Sequence, residues 1–226
     1  MNAIISIAID GPAAAGKSTV AKIVAKTLGF TYVDTGAMYR AFTWYVLHKG
    51  FDPKDEEASC SLIPEVKIDM DPKGGVFVCG LDCTKEIREP LVSGNVSYIA
   101  SYKAIRLALI DLQRELAKHG NVVMDGRDIG SYVLSDAQVK IFQIASVECR
   151  AERRYKENVS KGIPTTYEDV VEDVRKRDYI DSHRDFDPLE QAKDAVPLDT
   201  SNMNIEEVVA AILKIVEEKT GVKECR

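Results

Sequence analysis

"GPAAAGKS", residues Gly11–Ser18, follows the isoleucine-rich run Ile4–Ile9 and leads into Lys17–Leu28, where Val20, Ile23, Val24 and Leu28 fall on one side. The first run fits a strand buried on both faces, and the second an amphipathic helix. Between them the spacing G-x-x-x-x-G-K-[ST] is complete. Small residues let the backbone curl so that several N–H groups point at phosphate oxygens, and the helix N-terminus adds partial positive charge. Lys17 can reach the outer phosphates, and the Ser18 hydroxyl can ligate Mg²⁺. A plain glycine turn needs neither the lysine nor the hydroxyl. The loop made by Gly11, Pro12, Ala13, Ala14, Ala15, Gly16, Lys17, Ser18 and Thr19 is therefore expected to hold a nucleoside triphosphate.

Outward from this loop, Phe30–Val33 reads as a second strand and Gly36–His48 as a second helix. A β-α-β-α opening favours a parallel sheet. The pattern then breaks. Val66–Met70 alternates, "DPKGG" (Asp71–Gly75) supplies turn chemistry, and Val76–Cys79 reads as a returning strand. A hairpin does not belong inside a βαβ run, so it marks an insertion. A long helix is predicted from about Tyr102, with Ile105, Leu109, Leu112 and Leu116 on one face and Gly120 as its stop. The sheet resumes at Asn121–Met124, Val139–Ala145 and Ala195–Leu198, and Ile205–Glu218 closes the chain as a helix capped by Asn204. Two charged helices, Val147–Ser160 and Tyr167–Ser182, lie between the last two strands, with Thr165 and Glu168 a candidate capping box. The expected fold class is α/β: a P-loop NTPase-type five-stranded parallel sheet in a single domain. Its core would take residues 1–58, 102–145 and 183–226, the insertion 59–101 and a helical lid 146–182.

Composition narrows the function. The chain has 226 residues, 45% hydrophobic and 29% charged, with a formal net charge of −6, which argues against general nucleic-acid binding. Its five cysteines (Cys60, Cys79, Cys83, Cys149, Cys225) show no paired metal spacing and fit the free thiols of a reducing cytosol. The opening "AIISIAI" is too short to span a membrane, and no longer apolar run follows, so a cytoplasmic location without membrane association is expected. A monomer is the default expectation, since no apolar helix face is left unassigned.

The arginines narrow it further. A GTPase would carry an N-K-x-D guanine motif and a transport-type ATPase a glycine-rich signature; neither is found. Arg150, Arg153 and Arg154 share one helix face at i, i+3, i+4 spacing, where they could fold over a polyphosphate or simply be solvated. Arg177, Asp181 and Arg184 repeat that geometry, and Arg40 stands two turns into the second helix. Several guanidinium forks suit a second phosphate. This pattern points to a small-molecule kinase, which must hold two anions together and shield the phosphoryl group from water. A rival is a P-loop switch that binds nucleotide without passing a phosphoryl group to an acceptor.

The residues resemble the bacterial cytidylate kinase family nearly end to end. The resemblance is carried by "IDGPAAAGKST", "DTGAMYR" (Asp34–Arg40), Ile87–Arg88, "VMDGRDIG" (Val123–Gly130), "KIF" (Lys140–Phe142), "RAERR" (Arg150–Arg154) and "RDYIDSHRDFDPL" (Arg177–Leu189). The inserted hairpin also matches, as an enlarged monophosphate-binding region. The resemblance implies transfer from ATP to CMP or dCMP with Mg²⁺. It implies that Arg40 and Arg127 hold the acceptor phosphate, that Arg184 reaches the transferring group, and that Lys17, Arg127, Arg154 and Arg184 stabilise its charge. Arg177 and Asp181 would meet the sugar hydroxyls; Thr35, Arg106 and Asp128 would read cytosine; and Ser97 is a looser correspondence. Asp125 would hold the magnesium shell with Ser18. A kinase for another nucleoside monophosphate such as UMP is the nearest alternative. Asp128 favours cytosine because a carboxylate accepts from its exocyclic amine, whereas uracil presents a second acceptor there. This chain departs from the family in having Thr35 where serine is frequent, and Ser131 and Tyr132 in the loop after the GRD motif.

Overall fold

The computed structural model describes residues 4–71 and 74–223. In chain order the first half runs β1 (Ser6–Asp10), α1 (Lys17–Leu28), β2 (Thr31–Asp34), α2 (Thr35–His48), α3 (Glu56–Ser61), β3 (Ile68–Met70), β4 (Val76–Val78), β5 (Leu81–Asp82) and α4 (Pro90–Ile99). The second half runs α5 (Lys103–Ala117), β6 (Val122–Gly126), β7 (Val139–Ile144), α6 (Val147–Ser160), α7 (Tyr167–His183), β8 (Val196–Asp199) and α8 (Ile205–Thr220). Short 3₁₀ and π-helical turns occupy Glu86–Arg88 and Ile129–Val133.

Five strands form one parallel sheet in the order β2-β6-β1-β7-β8. Ile7, Ala8 and Ile9 of the central strand β1 are fully buried because helices cover both faces. One face packs against α1 and α8 through Val20, Val24, Val208 and Ile212. The other carries Met38 of α2, Ile110 of α5 and Val133. The strand order reverses around β1, and ligands of open α/β sheets bind outside the carboxyl ends of strands at such a point. There the register sets Asp34 beside Asp125, with Asp10 beside Gly126.

The insertion is a separate antiparallel sheet, β3-β4-β5, packed on α2, α4 and α5. It adds a third strand to the expected hairpin. The turn residues Pro72 and Lys73 lie outside the described residues.

Three local expectations are corrected. The buried face of α5 is Ile105, Arg106, Leu109, Ile110, Gln113 and Ala117, with Leu116 at 37% exposure, because two polar side chains turn inward. On α1, Ile23 is exposed while Ala21 and Ala25 pack against the core, their small side chains permitting close approach. The capping box of α7 pairs Thr166 with Asp169, one residue later than expected. Asn204 does cap α8, in a second capping box with Glu207.

Candidate active site

The carboxyl ends of β1, β2 and β6 open into a cleft of about 780 Å³. Ala14 through Val20 form one wall, and Arg40, Ser97, Arg106, Arg127, Asp128, Arg177, Asp181 and Arg184 line the rest with Thr35 and Asp125. Residues far apart in sequence thus converge on one space.

Gly11 stands at φ +146°, and a Cβ there would lie 2.0 Å from the Gln143 carbonyl oxygen of β7. Only glycine permits that approach. Lys17 Nζ donates to the Gly11 and Pro12 carbonyls at 2.7 and 2.8 Å. Burial, and then Arg127, lower the Lys17 ammonium pKa well below its usual value. A site that strains an ammonium this way is matched to an anion.

Asp125 sits behind the loop. Its Oδ2 accepts from Ser18 Oγ at 2.8 Å and its Oδ1 from Tyr32 Oη at 2.7 Å, while its backbone carbonyl accepts from Thr35 Oγ1 at 2.7 Å. Burial and neighbouring Asp34 raise its pKa. A dication shared by Ser18 and Asp125 would relieve that charge, and both supply the oxygen donors that Mg²⁺ prefers. Among the described residues no three His, Cys, Asp or Glu side chains form a metal cluster. A nucleotide-bound magnesium needs only one or two protein oxygens, so these residues fit the ion.

The other half of the cleft is built from arginine. Arg127 Nε donates to Asp181 Oδ2 at 2.8 Å. Burial opposes ionisation of Asp181, yet Arg127 and Arg177 carry its carboxyl below the ordinary range. Burial and then Arg127 bring Arg177 down to about 10. Fully buried Arg106 donates to Asp128 and to the Ala100 carbonyl, stacked near the Tyr39 and Phe186 rings. Arg184 Nη2 lies 3.3 Å from Asp128 Oδ1, within reach of charge attraction but outside hydrogen-bond geometry. Arg40 pairs with Asp34 at 3.2 Å, whose other oxygen caps α2 through the Ala37 N–H. Among the described residues, four buried guanidinium nitrogens, Nε of Arg40, Arg106 and Arg177 and Nη2 of Arg184, have no hydrogen-bond partner. Buried donors of that kind call for a missing acceptor.

The three arginines of α6 separate in role. Arg154 lines the cleft, 3.4 Å from Glu157. Arg153 also reaches its wall, while donating to the Ala15 and Thr200 carbonyls at 3.2 and 2.6 Å. Arg150 is turned away. It donates to the Ala13 carbonyl at 3.0 Å and pairs with Asp178, which accepts the Ala13 N–H at 3.1 Å. It grips the phosphate loop from behind, and Gly11, Pro12 and Ala13 do not line the cleft either. Sequence reasoning assigned no role to Arg88, whose Nη2 is 3.8 Å from Asp34 Oδ2. It also gave no place in the site to Thr200, Met203, Ile205 and Glu206, nor to Asn204 beyond its helix cap, all of which line the cleft. The position of the last set after β8, at a strand's carboxyl end, was the available signal.

A parallel sheet with a phosphate loop on one side of such a cleft and an arginine-rich half on the other defines a P-loop kinase. Comparison with known proteins agrees. The family profile described as cytidylate kinase matches residues 7–218. The chain is 52% identical over 217 residues to a cytidylate kinase of Bacillus licheniformis, covering 94% of this chain and 96% of that protein. It is 49% identical over 219 residues to a cytidylate kinase of Bacillus subtilis, covering 96% and 98%. An uncharacterized protein of Eubacterium ventriosum, 13% identical with a TM-score of 0.53, covers 96% of this chain and 99% of its own, and so shares the fold. The chain belongs to the cytidylate kinase family, an enzyme family of nucleoside monophosphate kinases.

The four described cysteines are free thiols, and Cys225 lies outside the described residues. No helix among the described residues is long and apolar enough to cross a membrane.

Proposed function

We propose that this protein transfers the γ-phosphoryl group of ATP to CMP or dCMP, giving ADP and CDP or dCDP. The observation that carries this reading is the set of unpartnered donors on Arg40, Arg106, Arg177 and Arg184, which line one cleft facing the phosphate loop. They suit a second anionic nucleotide.

An acceptor phosphate oxygen attacks the γ-phosphorus in line, and ADP leaves. That oxygen is already ionised at neutral pH, so no general base is needed. The backbone of Ala14–Thr19 and Lys17 hold the donor phosphates, with Arg153 and Arg154 closing over them. Arg40 and Arg127 hold the acceptor phosphate, and Arg184 reaches the transferring group. Positioning and fixed positive charge supply the rate. Ser18 and Asp125 would hold magnesium, which when bound neutralises polyphosphate charge. Asp181 and Arg177 meet the sugar. Asp128, flanked by Arg106 and Arg184, keeps free lone pairs to accept from the cytosine amine, beside Thr35 and Ser97. Arg150 serves from behind the loop.

The test is coupled ADP release from Mg-ATP with CMP, dCMP, UMP, AMP and shikimate supplied in turn. Rapid release with CMP and dCMP and little with the others supports the reading. Preference for another acceptor moves the substrate while keeping the kinase, and release that ignores the acceptor rejects the proposal.

A further inference from the structure

Two residues of the acceptor half, Arg127 and Asp128, sit on one short loop. After β6 the chain passes Arg127 and Asp128 and enters the single π-helical turn Ile129–Val133. Backbone groups at the ends of so short a turn find no partner within it and must be met from outside. The N–H groups of Ile129 and Gly130 donate to Asp10 Oδ1 and Oδ2 at 2.8 and 2.7 Å. At the other end Arg114 Nε donates to the Val133 carbonyl at 3.0 Å and its Nη2 to the Tyr132 carbonyl at 2.9 Å. The Asp10 carboxyl oxygens therefore meet the donor end and a cation the acceptor end, an arrangement the peptide dipoles favour most once Asp10 is ionised. Asp10 is 5% exposed, and neither side chain lines the cleft. The two come from different elements, β1 and α5, so the turn is gripped from both sides.

We propose that Asp10 and Arg114 are positioning residues for acceptor recognition, gripping the two ends of the Ile129–Val133 turn so that Arg127 and Asp128 meet the phosphate and base of the acceptor. This rests on the acceptor reading given above. Asp10 directly precedes the phosphate loop, so the competing role is support of the ATP side. The two roles separate kinetically.

Asp10→Asn keeps the shape but sets an amide NH₂ against one of the two N–H donors. Arg114→Met removes both guanidinium bonds and touches neither β1 nor the phosphate loop. Each is compared with wild type for KM of CMP, KM of ATP and the CMP:UMP ratio of kcat/KM. The expected result is a rise in the KM of CMP of roughly ten- to a hundredfold for Asp10→Asn, the scale of hydrogen bonds to a charged group. A smaller rise is expected for Arg114→Met, with the CMP:UMP ratio falling and the KM of ATP unchanged in both. A loss of kcat shared equally by CMP and UMP at unchanged KM, or a rise confined to ATP, overturns the proposal. If Asp10→Asn does not fold, Arg114→Met carries the same comparison. Amide exchange at Ile129 and Gly130 must also quicken in Asp10→Asn, and protection equal to wild type overturns the clamp. Should wild type prefer another acceptor, the reaction proposed above fails instead, and the comparison is run with that acceptor.

Discussion

Replacing Asp128 by alanine takes away the anion that two buried arginines share. The side chains of Arg106 and Arg184 are 0% and 2% exposed, and without Asp128 the hydrogen bonds left to them among the described residues go to the backbone carbonyls of Ala100 and Asp187. Removing one partner of a buried pair costs about 3–5 kcal/mol, because the stranded charge is worse than none. At about 2–4 °C per kcal/mol for a chain of this size, the melting temperature falls by about 6–20 °C. Base selection falls with it. A lost hydrogen bond to a charged acceptor is worth about 1.5–3 kcal/mol, so the CMP:UMP ratio of kcat/KM drops by about ten- to a hundredfold. Asp128→Asn retains an oxygen for one arginine and presents an amide N–H₂ to the base. It should melt between wild type and the alanine variant and shift further toward UMP. Thermal melts without nucleotide and ADP release below saturation read the two effects separately. An unchanged CMP:UMP ratio in folded Asp128→Ala would refute the base-reading role, and an unchanged melt would refute the energetics of the buried pair.

Three other outcomes follow from the same geometry. Lys17→Met removes an ammonium that burial and Arg127 already disfavour, so the melt holds or rises while turnover falls at least about a hundredfold. Asp10 is lifted by burial from 3.8 to about 7, so the folded chain keeps a proton that the unfolded chain releases. Stability should then decline as pH rises through that window, by up to ~4 kcal/mol for an isolated group. Urea midpoints measured across the window should show this decline in wild type and a weaker one in Asp10→Asn. Chelation of magnesium should end turnover, and Asp125→Asn should raise the Mg²⁺ needed for half-maximal rate by about tenfold or more. Because burial and Asp34 disfavour the Asp125 charge, that variant should not melt below wild type.

Helix α1 runs over the residues its apolar spacing indicated, and α6 over the charged segment read as a helix, since those signals lie within the segment. The phosphate loop was equally local. Elsewhere the deciding contact is distant in sequence. Thr165–Glu168 and Thr166–Asp169 satisfy nearly the same capping rule, and only the path of the chain into α7 chooses the second. The inward turn of Arg106 and Gln113 on α5 defies an apolar stripe because Arg106 answers to Asp128, on a later strand end. Helix α4, rich in small and β-branched residues, earns its place by packing on α2. Arg150 shares a face with Arg153 and Arg154, as spacing said, but which of them meets the cleft depends on Asp178 in the next helix. The roles of Asp10 and Arg114 were illegible for the same reason, their partners being backbone groups of a turn that no local pattern announces.

The most direct measurement follows γ-labelled ATP mixed with Mg²⁺, CMP and the protein, with the labelled products separated over time. Label should enter CDP in step with ADP formation and only when CMP is present. Label appearing as inorganic phosphate at a rate indifferent to CMP would contradict it.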